Sequence, residues 1–377
     1  MPHPPLRINY RIFTVFVAVG LLMIAVGGVL VVGAGQSRLR LSLGGHLADV
    51  ADQTAAAVDS YVFRRAIDAA ILATVPDVRR EAAAASAAPF DPALVRRYDR
   101  QWQEERVIPE ALAALTRNSA SLFLAEAGRN DQTYRELLLA DRNGRLVAAS
   151  GMTTDYYQGD EEWFSRTFAE GNKGVLNVGG VSWDESAGTW ALEISVPVVD
   201  PDGKQLAGVL KAVVDIREMA ATVSAARLGT TGEAALINDE GMMVLAAGAP
   251  RPNTPFFAAD LLRERMQAAA RQETAPAVHF SARAGDGTAR LIGVGMSQLR
   301  ASYPHLRWLV VVSEAESELF APVRYQLWSL LAVLALTAIA VLALALWFSL
   351  RLAAPLPDEE LHLVRHSKVE TIDGEGV

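Results

Sequence analysis

Leu137-Leu-Leu-Ala-Asp141-Arg-Asn143-Gly144-Arg-Leu-Val-Ala-Ala-Ser150 reads as strand, tight turn, strand. Asn-Gly supplies the positive φ of a two-residue hairpin turn, and apolar residues run on either side of it. The design returns 97 residues later as Leu236-Ile-Asn238-Asp-Glu-Gly241-Met-Met-Val244-Leu-Ala246-Ala-Gly248. At that offset Gly144 meets Gly241, Val147 meets Val244, Ala149 meets Ala246 and Gly151 meets Gly248. The same offset carries Val213-Val214, within Gly208-Val-Leu-Lys-Ala-Val-Val-Asp215, onto Val310-Val311, within Trp308-Leu-Val-Val-Val-Ser313. Each unit therefore opens with a hairpin and closes about 70 residues later with a β-branched strand. Self-similarity at one fixed period marks repeated modules. The spacing predicts an α+β fold of two tandem antiparallel-sheet modules, with helices on one side of each.

Upstream of the first hairpin the pattern is helical. From residue 38 to about residue 85, Leu43, Leu47, Val50, Thr54, Ala57 and Tyr61 recur at alternating spacings of four and three, the seam of a coiled coil. Pro76 is the first breaker after His46. Two readings follow: a helix that packs this stripe on its own domain, or one that pairs with its copy in a homodimer. A second helical region, roughly residues 92–128, is broken at Pro109.

The outer parts of the chain are apolar. Of its 377 residues 51 % are hydrophobic, and two uncharged runs of 24 residues, 12–35 and 327–350, are each bounded by arginine. A membrane helix needs roughly 20 such residues. Val32-Gly33-Ala34 would fit a signal-peptide cleavage site, but the first run exceeds the roughly 7–15 residues of a secretory apolar region and reads as an uncleaved anchor. Arg7 and Arg11, with no acid beside them, keep residues 1–11 in the cytoplasm. Two crossings return residues 351–377 to that side and leave 36–324 outside. Arg38 and Arg40 favour the reverse, but a loop of 289 residues translocates largely regardless of charge. That loop carries 30 basic and 37 acidic residues, a net of −7, which offers nucleic acid no positive patch. The chain has no cysteine, which excludes disulfides, thiol nucleophiles and thiolate metal sites.

With these residues in view, the segment Asp141-Arg-Asn-Gly144 … Asp155-Tyr-Tyr … Glu162-Trp163-Phe164 … Ile194-Ser-Val-Pro-Val … Asp202-Gly203 … Val214-Asp215-Ile resembles the membrane-distal module of double Cache sensor domains. Gly229-Thr-Thr-Gly232-Glu … Asn238-Asp-Glu-Gly241 … Trp308-Leu-Val-Val-Val-Ser-Glu-Ala-Glu-Ser-Glu318-Leu resembles the membrane-proximal one. The resemblance covers roughly residues 40–320. It implies two PAS-like modules behind a long helix (38–85), the distal about 90–224 and the proximal about 225–318, flanked by two transmembrane helices in a multi-pass protein of the bacterial inner membrane. The function implied is an extracytoplasmic ligand sensor, with no cofactor, working in a chemoreceptor, kinase, cyclase or phosphatase system.

In that family the distal module holds a small-molecule pocket, and amino-acid-binding members use a tyrosine, an arginine, a tryptophan with an aromatic neighbour, and an aspartate. Read onto this sequence, the resemblance implies Tyr156, Trp163, Phe164 and Asp215, with Trp183 on a covering loop beside Trp190, Asp184 and Glu185. Bland readings stand beside these. The aromatics also fit core positions, Asp160 to Glu162 an acidic helix start, and Trp183 and Trp190 a plain hairpin. The clamping arginine falls at Glu161, which cannot hold a ligand carboxylate because like charges repel and no donor remains. The expected ligand is therefore an amine, a polyamine or a neutral compound, unless Arg166 turns inward.

Enzymatic chemistry finds no footing. None of the six histidines has a nucleophile or metal-ligand partner close in sequence, His362 and His366 lack the intervening glutamate of a metalloprotease, and no phosphate-loop or dinucleotide glycine pattern occurs. Residues 351–364 resemble the opening of a HAMP linker, with no kinase, cyclase or methyl-accepting segment after it. A separate signalling partner is expected, with a truncated receptor or a non-signalling envelope binding protein as alternatives.

Overall fold

The computed structural model describes residues 10–105, 108–168, 174–271 and 278–352. Most of the expected cytoplasmic segments 1–11 and 351–377 lies outside them. Two compact units result: Ser42–Leu319, and a second built from the chain up to Leu41 together with Phe320 onward.

Within Ser42–Leu319, two antiparallel sheets carry the fold. The first has the order β2-β1-β5-β4-β3, with β1 Tyr134–Asp141, β2 Leu146–Ala149, β3 Asn177–Asp184, β4 Thr189–Val199 and β5 Leu206–Asp215. The second has the order β8-β7-β6-β11-β10-β9, with β6 Glu233–Asn238, β7 Met243–Ala246, β8 Ala249–Pro250, β9 Val278–Arg283, β10 Ala289–Met296 and β11 Trp308–Ala315. The opening hairpin sits beside the closing strand in both, as the offset of 97 residues required. The turn differs from the expected two-residue type. Asp141 N donates to Arg145 O (2.8 Å) and Gly144 N to Asp141 O (3.0 Å), so the loop has three residues and ends on Gly144 at φ +82°. Asp141 Oδ1 ties the loop by accepting from the amides of Asn143 and Arg145. Asn238 and Gly241 repeat this geometry in the second hairpin, with Gly241 at φ +76°.

The long helix α1 spans Tyr10–Ala73 and stops before Pro76, which opens α2 (Pro76–Ala87). Helix 38–85 is thus two helices, because proline lacks the N–H the ladder needs and is tolerated in a first turn. Then follow α3 (Pro92–Glu105), a 3-10 turn (Glu110–Thr116) after Pro109, and α4 (Ser119–Asn130), whose Asn118 side chain caps Ser121 N at 2.8 Å. The remaining helices are α5 (Glu162–Phe168), α6 (Arg217–Ala225), α7 (Ala259–Arg271), α8 (Glu316–Leu319) and α9 (Ala321–Leu352).

The stripe of α1 packs on its own unit. Leu47, Ala51, Val58, Tyr61 and Ala69 share one core with Leu139 and Leu210 of the first sheet and Leu236 and Val310 of the second, while Ala57 is exposed. The helix approaches β10 closely. A Cβ on Gly293 would fall 2.2 Å from the Leu47 carbonyl carbon, and one on Gly295 2.2 Å from that of Ala51. Helices cover both faces of the first sheet rather than one: the opposite face carries a second core of Trp102, Leu138, Tyr156, Trp163, Phe164 and Val209. The motif segments of the second module also meet. The Glu318 carboxylate accepts from Thr230 N and Thr231 N, both at 2.8 Å, and these hydrogen bonds hold it down at a pKa of about 2.

In the other unit, one stretch among the described residues, Trp328–Trp347 of α9, is long and apolar enough to cross a membrane. Where a first span was expected, the apolar stretch found in α1 is the shorter Val17–Gly27. A Cβ on Gly20 of α1 would meet Val341 of α9 at 2.6 Å, so the two helices are in close contact there.

Candidate functional site

Strand alternation places Glu136 of β1, Glu193 of β4 and Lys211 of β5 on the face of the first sheet opposite α1. Over that face lies a cavity of about 580 Å³, within the range of ligand pockets. It is bounded by α3, by the loop between β2 and α5, and by the turn between β3 and β4. Its charged lining is five acids, Asp155, Glu161, Asp184, Glu185 and Glu193, against one base, Lys211.

Lys211 is the centre of the site and is only 7 % exposed. Its Nζ lies 2.9 Å from Glu193 Oε1 and 3.3 Å from Asp184 Oδ2, and 5.6 Å from the centroid of the Trp163 ring. Burial works against its charge, but Glu193 and Asp184 outweigh that and raise its pKa above the usual lysine value. For Asp184, burial is again opposed, by Lys211 and by hydrogen bonds from Ser186 and Ala187, and its pKa is lowered. Three neighbours are pushed the other way. Burial, with Asp99 and Glu161 adding repulsion, lifts Asp155 to about 6. Burial also raises Glu161 and Glu136, although Lys211 and, for Glu136, the Ser186 hydroxyl pull them down. Several carboxyls share one buried cation here, and the remainder line the cavity.

The aromatic residues form the wall behind the cavity. Thr167 Oγ1 donates to Trp163 O (2.9 Å) and lies 2.8 Å from Ser195 Oγ, which pins α5 to β4 and fixes Trp163 beneath Lys211. Trp163 is 4 % exposed, and its Nε1 is buried with no hydrogen-bond partner among the described residues. Phe164 meets Trp163 edge-on at 5.7 Å, and Tyr156 packs between Tyr98 and Trp102. Trp102 Nε1 donates to Thr153 O (3.0 Å), and Asp99 Oδ1 accepts from Tyr156 N and Tyr157 N, so α3 holds the loop that carries Asp155.

Of the residues expected to bind ligand, Trp183 lines the cavity, 52 % exposed and edge-on to Trp190 at 6.0 Å. Tyr156, Trp163 and Phe164 are core residues one layer behind it. Asp215 is not brought to the cavity. It stands four residues beyond Lys211 at the end of β5, where Arg135 Nε (2.7 Å), Arg217 N (2.8 Å) and Arg217 Nε (2.9 Å) donate to its carboxylate. Its backbone carbonyl accepts from Tyr61 of α1 at 2.6 Å. Arg166 does not turn inward either, since it pairs with Glu162 at 2.6 Å. Glu161 does line the cavity, where the family resemblance puts an arginine.

Lys211, Glu193 and Gln158 also line the cavity although the sequence did not single them out, and Asp184 was marked only as a neighbour of Trp183. One signal was available: Lys211 is the lone charge inside the apolar run Gly208-Val-Leu-Lys-Ala-Val-Val, and a lysine buried in a strand needs a partner. Among the described residues no group of three or more His, Asp or Glu is placed to hold a metal ion.

A family profile of the Cache domain matches residues 38–323. Several solved sensor domains are similar in structure. The sensory domain of the Campylobacter jejuni chemoreceptor Tlp3 (CcmL) is 12 % identical, covering 75 % of this chain and 97 % of that one at a TM-score of 0.48. The ligand-binding domain of the Pseudomonas fluorescens chemoreceptor CtaA, in complex with L-isoleucine, is 15 % identical over 76 % and 98 %, at 0.44. That of the Pseudomonas aeruginosa PAO1 amino acid chemoreceptor PctB, in complex with L-Arg, is 15 % identical over 75 % and 92 %, at 0.45. A search of the curated proteins returns no match.

Proposed function

The chain belongs to the Cache domain family, in its double form, and from that premise we propose that it is a membrane-anchored sensor whose first module binds a small cationic ligand outside the cytoplasm. The carrying observation is the cavity of about 580 Å³ with five carboxylates and one lysine in its lining. Lys211 is already engaged by Asp184 and Glu193, which leaves Asp155, Glu161 and Glu185 for an ammonium group. Opposite charges 4 Å apart attract by about 4 kcal/mol at an effective dielectric near 20, and an anion would be repelled by a similar amount. A primary amine or polyamine suits this lining, with Trp183 offering an apolar surface to its methylenes; a neutral compound is the second choice.

The proposed setting is the bacterial inner membrane, with residues 36–324 outside, two helices (12–35 and 327–350) crossing, and modules at about 90–224 and 225–318. The packing of Gly20 against Val341 supports a two-helix anchor. The reading includes no catalysis, and the sensor works with a signalling partner. A homodimer through α1 is supported by Ile67 and Ile71, apolar residues four apart on its exposed side.

Calorimetry of the full chain in lipid nanodiscs against putrescine, cadaverine and spermidine, and in parallel against α-amino acids and dicarboxylates, tests the ligand class. An amine is expected to bind, and Asp155→Asn is expected to weaken it at least tenfold. An α-amino acid or dicarboxylate whose binding depends on Asp155, with no amine binding, would overturn the reading.

A further inference from the structure

The second module contains a cavity of about 410 Å³ between α7, the beginning of β11 and the loop that leaves β10. Its charge is opposite to that of the first. Three arginines, Arg263, Arg300 and Arg307, line it with one acid, Asp239. Its other wall is apolar, formed by Leu262, Met266, Met296 and Trp308 among others.

The arginines are not equivalent. Arg263 pairs with Asp260 at 2.6 Å and Arg307 with Asp239 at 3.1 Å. Arg300 makes no hydrogen bond or ion pair among the described residues. A guanidinium is a planar fork of five donors that matches a carboxylate with two parallel hydrogen bonds. Here one such fork has no partner beside a cavity whose lining is net positive.

The backbone bearing Arg300 is held firmly. It lies in the 3-10 turn Leu299–Ala301, and Asp59 of α1 accepts from Ser297 Oγ (2.6 Å) and Gln298 N (2.7 Å) at the entrance to that turn. Asp59 and Ser297 are both buried. Further along the same loop, His305 Nε2 lies 2.6 Å from Val178 O of β3 in the first sheet. One short loop therefore lines the cavity, is anchored on α1 and is bonded to the first module.

We infer that this cavity is a second ligand site, which takes a small monocarboxylate: its carboxylate on Arg300, its apolar body against Met266, Met296 and Trp308. A fully hydrated anion such as inorganic phosphate would satisfy the arginine but gain nothing from the apolar wall. The site is independent of the amine reading, because it shares no lining residue with the first cavity.

Butanoate, hexanoate, benzoate and inorganic phosphate, titrated into the full chain in nanodiscs and followed by calorimetry and thermal unfolding, test it. Hexanoate and benzoate are expected to bind once per chain, more tightly than butanoate, and to raise Tm, while phosphate does neither. Arg300→Ala should weaken hexanoate at least tenfold and leave the unliganded Tm unchanged, since Arg300 has no partner to lose. Met266→Trp, which fills the cavity, should abolish binding, and Asp155→Asn in the first cavity should not alter it. The inference is overturned if no monocarboxylate binds at millimolar concentration, if phosphate binds as well as hexanoate, or if Arg300→Ala binds hexanoate undiminished.

Discussion

Replacing Lys211 with methionine keeps an unbranched side chain, one atom shorter, and removes the cation. Two carboxylates then lose their partner: Asp184, with a side chain 4 % exposed, and Glu193, with 27 %. Removing one member of a buried ion pair typically costs about 3–5 kcal/mol, because the other is left charged in a poor solvent. Water reaches Glu193 and relieves part of its share, so about 3 kcal/mol is expected at pH 7.5. For a unit of this size that corresponds to a fall in Tm of roughly 6–12 °C. The pH dependence separates this cause from a packing defect. In the parent, the lowered pKa of Asp184 means its stabilising contribution is present above the unfolded carboxylate value and fades as pH falls. The raised pKa of Lys211 gives a contribution complete below the unfolded lysine value, so it is constant through the acid range. In the variant the Asp184 carboxyl, buried and without Lys211, is pushed upward and sheds its penalty as it protonates. The Tm gap between parent and variant should therefore be widest at pH 7.5 and shrink by at least half at pH 4.5. Tryptophan fluorescence of both proteins in nanodiscs, heated at the two pH values, measures it. A gap below about 2 °C at pH 7.5, or one that grows on acidification, would refute the paired-lysine reasoning.

Amine affinity for the first cavity should rise about tenfold from pH 5 to pH 7.5, because Asp155, lifted by burial to about 6, becomes charged over that interval; calorimetry at the two pH values checks it, and Asp155→Asn should flatten the profile. Gly295→Val should destabilise the protein by about 2–3 kcal/mol in thermal unfolding, since its Cβ would lie 2.2 Å from the backbone of α1 and the helix would have to shift. Gly180→Ala, where a Cβ meets nothing within 4 Å, should change stability by less than about 0.5 kcal/mol. Reporter fusions after residue 200 and after residue 352 should report an external and a cytoplasmic position respectively, and a cytoplasmic signal at residue 200 would remove the basis for an external sensor.

Much of the architecture could be read along the chain. The 97-residue offset located both hairpins and both closing strands, and the paired sheet orders are what two copies of one unit produce. Pro76 and Pro109 marked breaks in helical pattern at the places where the helices do change. These are local statements: a positive φ at glycine, a missing N–H at proline and a period of two or 3.6 each act within a few residues. The hairpin turns mark the limit, since Asn143-Gly144 gave the bend but the three-residue loop was fixed by Asp141 bonding across it.

The candidate site was legible only in outline. Acidity around residues 155–162 and the departure at Glu161 were visible in order along the chain, and so was the aromatic cluster. Which aromatics line the cavity and which stand behind it depended on how α3 and α5 lie over the sheet. Asp215 looked like a ligand carboxylate until Arg135, 80 residues earlier, was found against it. Lys211 acquired meaning from Asp184 and Glu193, which two other strands bring within 3.3 Å. Gly293 and Gly295 are required because α1, more than 200 residues earlier in the chain, passes directly over them. Backbone preference and periodicity are written into neighbouring residues, so sequence alone determined the elements and their repetition. Charge pairing and close approach act through space between distant segments, so only the tertiary structure decided which residues line the cavity.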